Sequence, residues 1–519
     1  MNIWLRMLGV LLRVLNVVLL PLIKFVGGPR RKTPFPEIRN EMLEISAVDL
    51  AERIRNKELR SEDVVRAYID RIREVSPLIN AVVEERFTAA LEEAKKADEM
   101  IANMQTIWLI KTYPLLGVPF TVKESCSLKG ALLTGGSLPR QGLRASSDGE
   151  AVAHLRAAGC IPLLVSNTPE YCLSWESYNH ITGRSLNPYD NRRTAGGSSG
   201  GEGALIAAGA SLFGVGSDVA GSIRVPALFN GIFGHKPTAG VISIDGHFPT
   251  SSDEKFANFL TVGPMCRYAK DLPTLLHIMA GPRAYKLRLD ETVYTNDIRI
   301  HYMEDVGFNV GFIPVDDEIK IAMYRAVQYF KGHGLQTERA EFDHMNECLE
   351  MALCTLQSLE DVPSIFENRE NPKEKHSLLL ELGKAMIGKS RFTLAGIMFY
   401  ILFNTKHLFS PKEQQLYLQM AQDLKKQMID TLGTDGVLFL PTYPKAAIRH
   451  YESFGHITGV TYTMLFNALG FPGTHVPLGF NREGLPIGIQ IVSAPYQDRL
   501  SLCIARELEA AFGGWKAPQ

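Results

Sequence analysis

The segment RRTAGGSSGGEGALIAAGASLFGVGSDVAGSIRVPA, residues 192–227, carries serines at 198, 199, 211, 217 and 222, four of them beside glycine. A serine hydroxyl is a weak nucleophile and acts only when a neighbouring base takes its proton. A flexible Gly/Ser linker does not fit, because the glycines run straight into an Ala- and Leu-rich helical pattern and then an apolar strand pattern. Gly196 to Gly200 match G-x-S-x-G in the frame of Ser198, and the next frame matches around Ser199. Such a nucleophile elbow also needs an acid and then a histidine downstream, and none of the later histidines sits in a telling motif. A phosphate loop lacks its G-K-[ST]. The remaining reading brings in Lys123, which closes the apolar run PLLGVPFTVKES. Burial disfavours an ammonium and turns such a lysine into a general base near neutrality, whereas at the end of an exposed strand it would do nothing. Lys123, Ser198 and Ser222 lie at intervals of 75 and 24 residues, so only a fold can bring them together.

The elements that would do so alternate. Ser46 and Asp49 cap a first helix, Ser61 opens a second that stops at Ser76–Pro77, and residues 81–104 read as a third. From about residue 115, short runs such as LLGVPFTVK, CIPLLVSN and SLFGVGSD alternate with helical patterns such as GEAVAHLRAAG and GEGALIAAGA. This is the texture of an α/β sheet covered by helices on both faces. Residues 315–430 read as mostly helical; DGVLFLPTYP and GLPIGIQIVSAP then return as buried strands, which favours one catalytic domain over 42–519. FTLAGIMFYILF, 392–403, is too short to span a bilayer and reads as a core helix, as the wall of an acyl tunnel or as a segment dipping into lipid.

A net charge of −1 gives no field that would draw the chain to nucleic acid. Seven scattered cysteines without a C-x-x-C pair argue against a disulfide framework or a structural zinc site, and nothing calls for a metal or cofactor. Residues 1–28 are apolar but carry Arg6, Arg13 and Lys24, which fall within about 20° of one line on a helix. A cleavable signal fits poorly and a chain-terminal core helix worse. Two membrane readings remain: an interfacial helix with its basic residues among the headgroups, or a short single span with snorkelling arginines. Residues 29–41 form a basic, Pro-rich linker, and in a spanning arrangement Arg30, Arg31 and Lys32 would hold the body on the cytoplasmic side.

GVPFTVKES, GRSLNPYD, GGSSGGEGALIA, GSDVAGSIRVPA, GIFGHKPT, GPMCRYAKDL and GLPIGIQIV together resemble the amidase signature family of serine hydrolases. Within it, the apolar N-terminus followed by KTPFP is similar to the membrane-associated fatty-acid amide hydrolases of type 2. The resemblance covers roughly residues 42–510 and implies a large twisted, mixed, mostly parallel sheet. It implies Ser222 as nucleophile, Ser198 as bridging serine after a cis peptide bond, and Lys123 as base. Backbone N–H groups of Val219, Ala220, Gly221 and Ser222 would hold the oxyanion, Cys172 would meet substrate through its backbone, and Ser199, Asp218 and Arg224 would be structural supports. Ala220 stands where the family commonly has glycine, so either its φ is negative or the hole is altered. The expected activity is hydrolysis of a lipid amide to a fatty acid and an amine at an intracellular membrane, the endoplasmic reticulum or a lipid droplet. Membrane lipids would be a partner, and a homo-oligomer is left open. A soluble-type amidase or glutaminase-like amidotransferase subunit is the alternative within the fold, and an inactive lipid-binding scaffold the alternative outside it.

Overall fold

Thirteen short segments rich in β-branched and aromatic residues become strands: β1 Val82–Glu85, β2 Pro119–Lys123, β3 Ile161–Ser166, β4 Tyr178–Asn179, β5 Gly183–Arg184, β6 Phe213–Asp218, β7 Phe233–Lys236, β8 Thr261–Cys266, β9 Arg299–Tyr302, β10 Thr337–Arg339, β11 Gly436–Pro441, β12 Gly473–Phe480 and β13 Pro486–Ser493. The computed structural model describes residues 3–26, 32–307, 309–367, 376–404 and 408–519. Eleven strands form one sheet in the order β1-β3-β2-β6-β8-β7-β12-β13-β11-β9-β10, and β4 and β5 pair separately. The sheet is mixed, as expected. Parallel pairing holds within β3-β2-β6 and within β11-β9-β10, and the pairings between these blocks are antiparallel.

Every residue of β2, β3, β6, β8, β11 and β13 is buried. A strand buried on alternate side chains of both kinds must be covered on both faces, which is the work of the helices. DGVLFLPTYP and GLPIGIQIVSAP do rejoin the sheet, as β11 and β13. Ser46 caps its helix by accepting from the Asp49 amide at 3.2 Å.

Two helix boundaries differ from expectation. The second helix runs through Pro77 to Ile79, and Ser61 is its first residue, donating its hydroxyl to the Gly117 carbonyl at 2.8 Å instead of capping. Residues 82–85, read as helix, form the edge strand β1 against β3, and the helix begins at Phe87. Strand pairing at Val82, Glu84 and Glu85 overrides the local helical pattern there.

The largest correction concerns the N-terminus. Ile3–Val26 is one helix, but among the described residues none is long and apolar enough to cross a membrane, so the single-span reading is not supported. Two residues of its basic line, Arg6 and Arg13, meet protein partners. Arg6 is buried, donates to both carboxylate oxygens of Glu350 at 2.6 and 2.7 Å, and lies over the Phe312 ring at 4.8 Å. Arg13 donates to the Phe312 carbonyl at 2.9 Å. The apolar residues Ile3, Met7, Leu11, Val14, Val17 and Val18 point outward instead. A polar stripe on an apolar helix looks the same in sequence whether it meets water or protein, and Glu350 lies 344 positions away. Arg30, Arg31 and the side chain of Lys24 lie outside the described residues.

Candidate active site

Lys123 is the last residue of β2, and β2 pairs in parallel with β6. This pairing sets Lys123 beside the segment that leaves β6 at Asp218. Its ammonium or amine nitrogen is fully buried and lies 2.6 Å from Ser198 Oγ and 2.9 Å from Ser217 Oγ. Ser198 precedes the buried helix Gly200–Ala207, and the Gly197–Ser198 peptide bond is cis. A Cβ on Gly197 would stand 2.4 Å from the Ser174 carbonyl oxygen, so only glycine fits where the chain passes. The Ser199 amide donates to the Ser222 carbonyl at 3.1 Å, which brings the two serine segments into register. Ser198, Ser217 and Ser222 all line one cavity of about 660 Å³. Among the described residues no hydrogen bond is seen between the Ser198 and Ser222 hydroxyls.

The loop from Asp218 to Arg224 is held by one buried ion pair. Arg224 Nε and Nη2 reach the two oxygens of Asp218 at 3.1 and 3.0 Å, with both side chains fully buried. Asp218 also accepts from the amides of Gly221 at 2.7 Å and Ile223 at 3.1 Å. Burial alone would raise its pKa, but Arg224, Lys236 and the amide donors outweigh this and hold it well below the usual carboxylate range. Arg224 is further bound by Gln490, the Thr463 carbonyl and Asn467. Ser199 ties the end of β6 to this frame by exchanging bonds with the Ser217 backbone at 3.3 and 3.4 Å.

This loop answers the question raised by Ala220, which is not among the residues at positive φ; Gly221 takes the left-handed position at φ 98°. A Cβ at Gly221 would meet Thr463 Oγ1 at 2.3 Å. The Gly221 amide is already bound to Asp218, and Gly221 does not line the cavity, whereas Val219, Ala220 and Ser222 do.

Cys172 also lines the cavity, at φ 59° in a short turn Glu170–Cys172. Burial works against its ionisation, but the neighbouring Lys123, His247 and Thr168 prevail and lower the thiol to about 5. Cys172 thus shares the cavity with Ser198 and Ser222. Two further residues were missed. Ser217 was noticed but given no role, and His247, in SIDGHFPT, stands in no motif. His247 Nε2 is 2.9 Å from Ser217 Oγ, which only the fold reveals.

The rest of the cavity is apolar. Leu5 and Leu12 of the N-terminal helix, Leu353, Trp175, Met464 and Phe399 are among its walls. Phe392 and Ile397 are buried in a core cluster, as the core-helix reading expects, while Phe399 of the helix Leu394–Asn404 is also a cavity wall; the side chains of Leu402 and Phe403 lie outside the described residues.

Glu124, Glu170 and Glu202 are buried, and Glu202 lies close enough to Lys123 to interact with it. Glu202 accepts from Thr121 Oγ1 at 2.6 Å, Glu124 from Thr134 and Gly135, and Glu170 from Thr393 and Ser137. Burial pushes each up to about 7 despite these donors. The folded state thus keeps protons that the unfolded chain releases above about 4.5. The resulting stability is present below that pH and lost as pH rises through 7, up to about 3 kcal/mol for each group. Thermal unfolding midpoints should accordingly fall between pH 5 and pH 8, and Glu202→Gln should flatten the fall.

A buried amine bonded to one serine, with a second serine on the same apolar cavity, sets hydroxyls beside a nitrogen that could take their hydrogen. The chain belongs to the Amidase family, whose model matches residues 63–502. It is 43% identical over 498 residues to fatty-acid amide hydrolase 2-B of Danio rerio, covering 95% of this chain and 94% of that one. It is 39% identical over 523 residues to fatty-acid amide hydrolase 2 of Homo sapiens, covering 99% and 97%. A solved structure of a fatty acid amide hydrolase superposes with a TM-score of 0.71 at 21% identity, over 92% of this chain and 86% of that one. This chain is an amide hydrolase with the amidase fold.

Proposed function

We propose that the protein cleaves fatty-acid amides to a free fatty acid and an amine, with Ser222 as nucleophile, Ser198 as relay and Lys123 as base. Neutral Lys123 takes the Ser198 proton while Ser198 takes that of Ser222, and Ser222 Oγ bonds to the amide carbonyl carbon. The oxyanion is held by the amides of Val219, Ala220 and Ser222, each such donor contributing about 3–4 kcal/mol in the transition state. The relay then runs backward, protonating the nitrogen as the C–N bond breaks, because an amide anion is a very poor leaving group. Water releases the acid from Ser222 by the same route. The observation that carries this reading is the 2.6 Å contact of buried Lys123 with Ser198 at a cavity shared with Ser222.

The lipid substrate is supported by the apolar walls and by the named relatives. A volume of about 660 Å³ is within the range of sites that engulf small organic ligands. Residues 42–519 form the catalytic body, and residues 1–28 serve as a surface anchor. Both helices that line the cavity from outside turn apolar residues outward: Met7, Leu11 and Val14 on one, Leu394 on the other. Leu379, Leu380 and Ile387 are exposed as well. An interfacial helix buries such a face among acyl chains. Replacing Val14 and Val18 by aspartate should lower binding to phosphatidylcholine vesicles at least about tenfold, while hydrolysis of a short soluble amide stays unchanged. Sedimentation with vesicles checks it.

The function itself is tested by a hydrolysis panel of primary fatty amides, fatty ethanolamides, short aryl amides and glutamine, read as released amine. Long-chain amides should give the highest kcat/KM. A preference for glutamine would refute the lipid assignment.

A further inference from the structure

His247 is nearly buried at the cavity, on a loop pinned by the bond from the Phe248 amide to the Ser125 carbonyl at 2.8 Å. Its Nδ1 lies 2.7 Å from the Pro249 carbonyl oxygen. A carbonyl can only accept, so Nδ1 carries the hydrogen and Nε2 of the neutral ring is an acceptor. The hydroxyl nearest Nε2 is Ser217, at 2.9 Å; Ser125 Oγ is farther, at 3.3 Å. Ser217 therefore donates its one hydrogen to His247 and faces Lys123 with lone pairs only. Lys123, 2.9 Å away, donates an N–H to it.

A neutral lysine has two hydrogens and one lone pair, and two serine hydroxyls lie within reach of it. If both could donate, Ser217 would compete with Ser198 for the only basic position. We infer that His247 is a positioning residue that holds the Ser217 hydrogen away from Lys123, reserving the lone pair of the base for Ser198. This rests on the proposed roles of Lys123, Ser198 and Ser222. The other ionisable groups around this point are Cys172, Cys126 and Glu202, each close enough to interact with Lys123, and Glu124, the next residue in the chain.

The test is a set of variants assayed for kcat and KM on oleamide and for the rate at which a fluorophosphonate labels Ser222. His247→Leu removes the acceptor and should lower kcat about tenfold or more with KM little changed. Ser217→Ala removes the competitor together with one anchor of the lysine, and should lower kcat only about threefold. The double variant should recover to about the level of Ser217→Ala. His247→Gln, whose amide oxygen can accept from Ser217, should stay above His247→Leu, and it serves as the informative variant if leucine prevents folding. Losses that simply multiply in the double variant would overturn the inference, as would Cys172→Ala reproducing the His247→Leu loss. Should Ser222 of the wild type fail to label, the assignment of the nucleophile falls; should it label while the losses multiply, only the role of His247 falls.

Discussion

Ser222→Ala lowers kcat on oleamide by at least about 10⁴-fold with little change in KM, because the variant keeps the cavity and loses the atom that forms the acyl bond. Residual turnover above water would come from the remaining oxyanion donors and from binding. The result discriminates between nucleophiles. Ser198, Ser217 and Cys172 line the same cavity, and the Cys172 thiol is lowered to about 5, so a second nucleophile is chemically available. Were Cys172 the attacking group, Ser222→Ala would keep most of its activity. Progress curves at saturating substrate, with folding checked by thermal melting, decide it.

The second large effect is on stability. Asp218→Ala leaves the Arg224 guanidinium fully buried with only neutral partners in Gln490, Thr463 and Asn467. Removing one member of a buried pair costs about 3–5 kcal/mol, a large share of the stability of most proteins. The same change frees the Gly221 amide and loosens the turn that presents Val219 and Ala220, so kcat should also fall at least about tenfold. Denaturant unfolding measures the first effect, and assays on the folded fraction the second. A loss below about 1 kcal/mol would mean that the pair does not fix this loop.

Much of this was legible in the sequence where chemistry and local pattern coincide. Lys123 at the end of an apolar run, the glycines around Ser198 and the returning strands β11 and β13 all read directly, because burial and backbone freedom leave marks in residue type. What failed to read was non-local. The partner of Arg6 is Glu350, and that of Ser217 is His247, 30 positions on; neither pair has a spacing that a helix or strand would impose. The resemblance gives the Gly221 amide to the oxyanion, whereas here it donates to Asp218, three residues earlier. Residues 82–85 read as helix because a four-residue edge strand is too short to set a period of its own.

The proton path is tested most directly by the rate at which a fluorophosphonate forms an adduct, located by peptide mass spectrometry, in wild-type protein and in Lys123→Ala. The adduct should sit on Ser222, and the variant should react at least about 100-fold more slowly, since its hydroxyls lose the base that draws their hydrogen. An adduct on another side chain, or equal rates in the two proteins, would contradict the account.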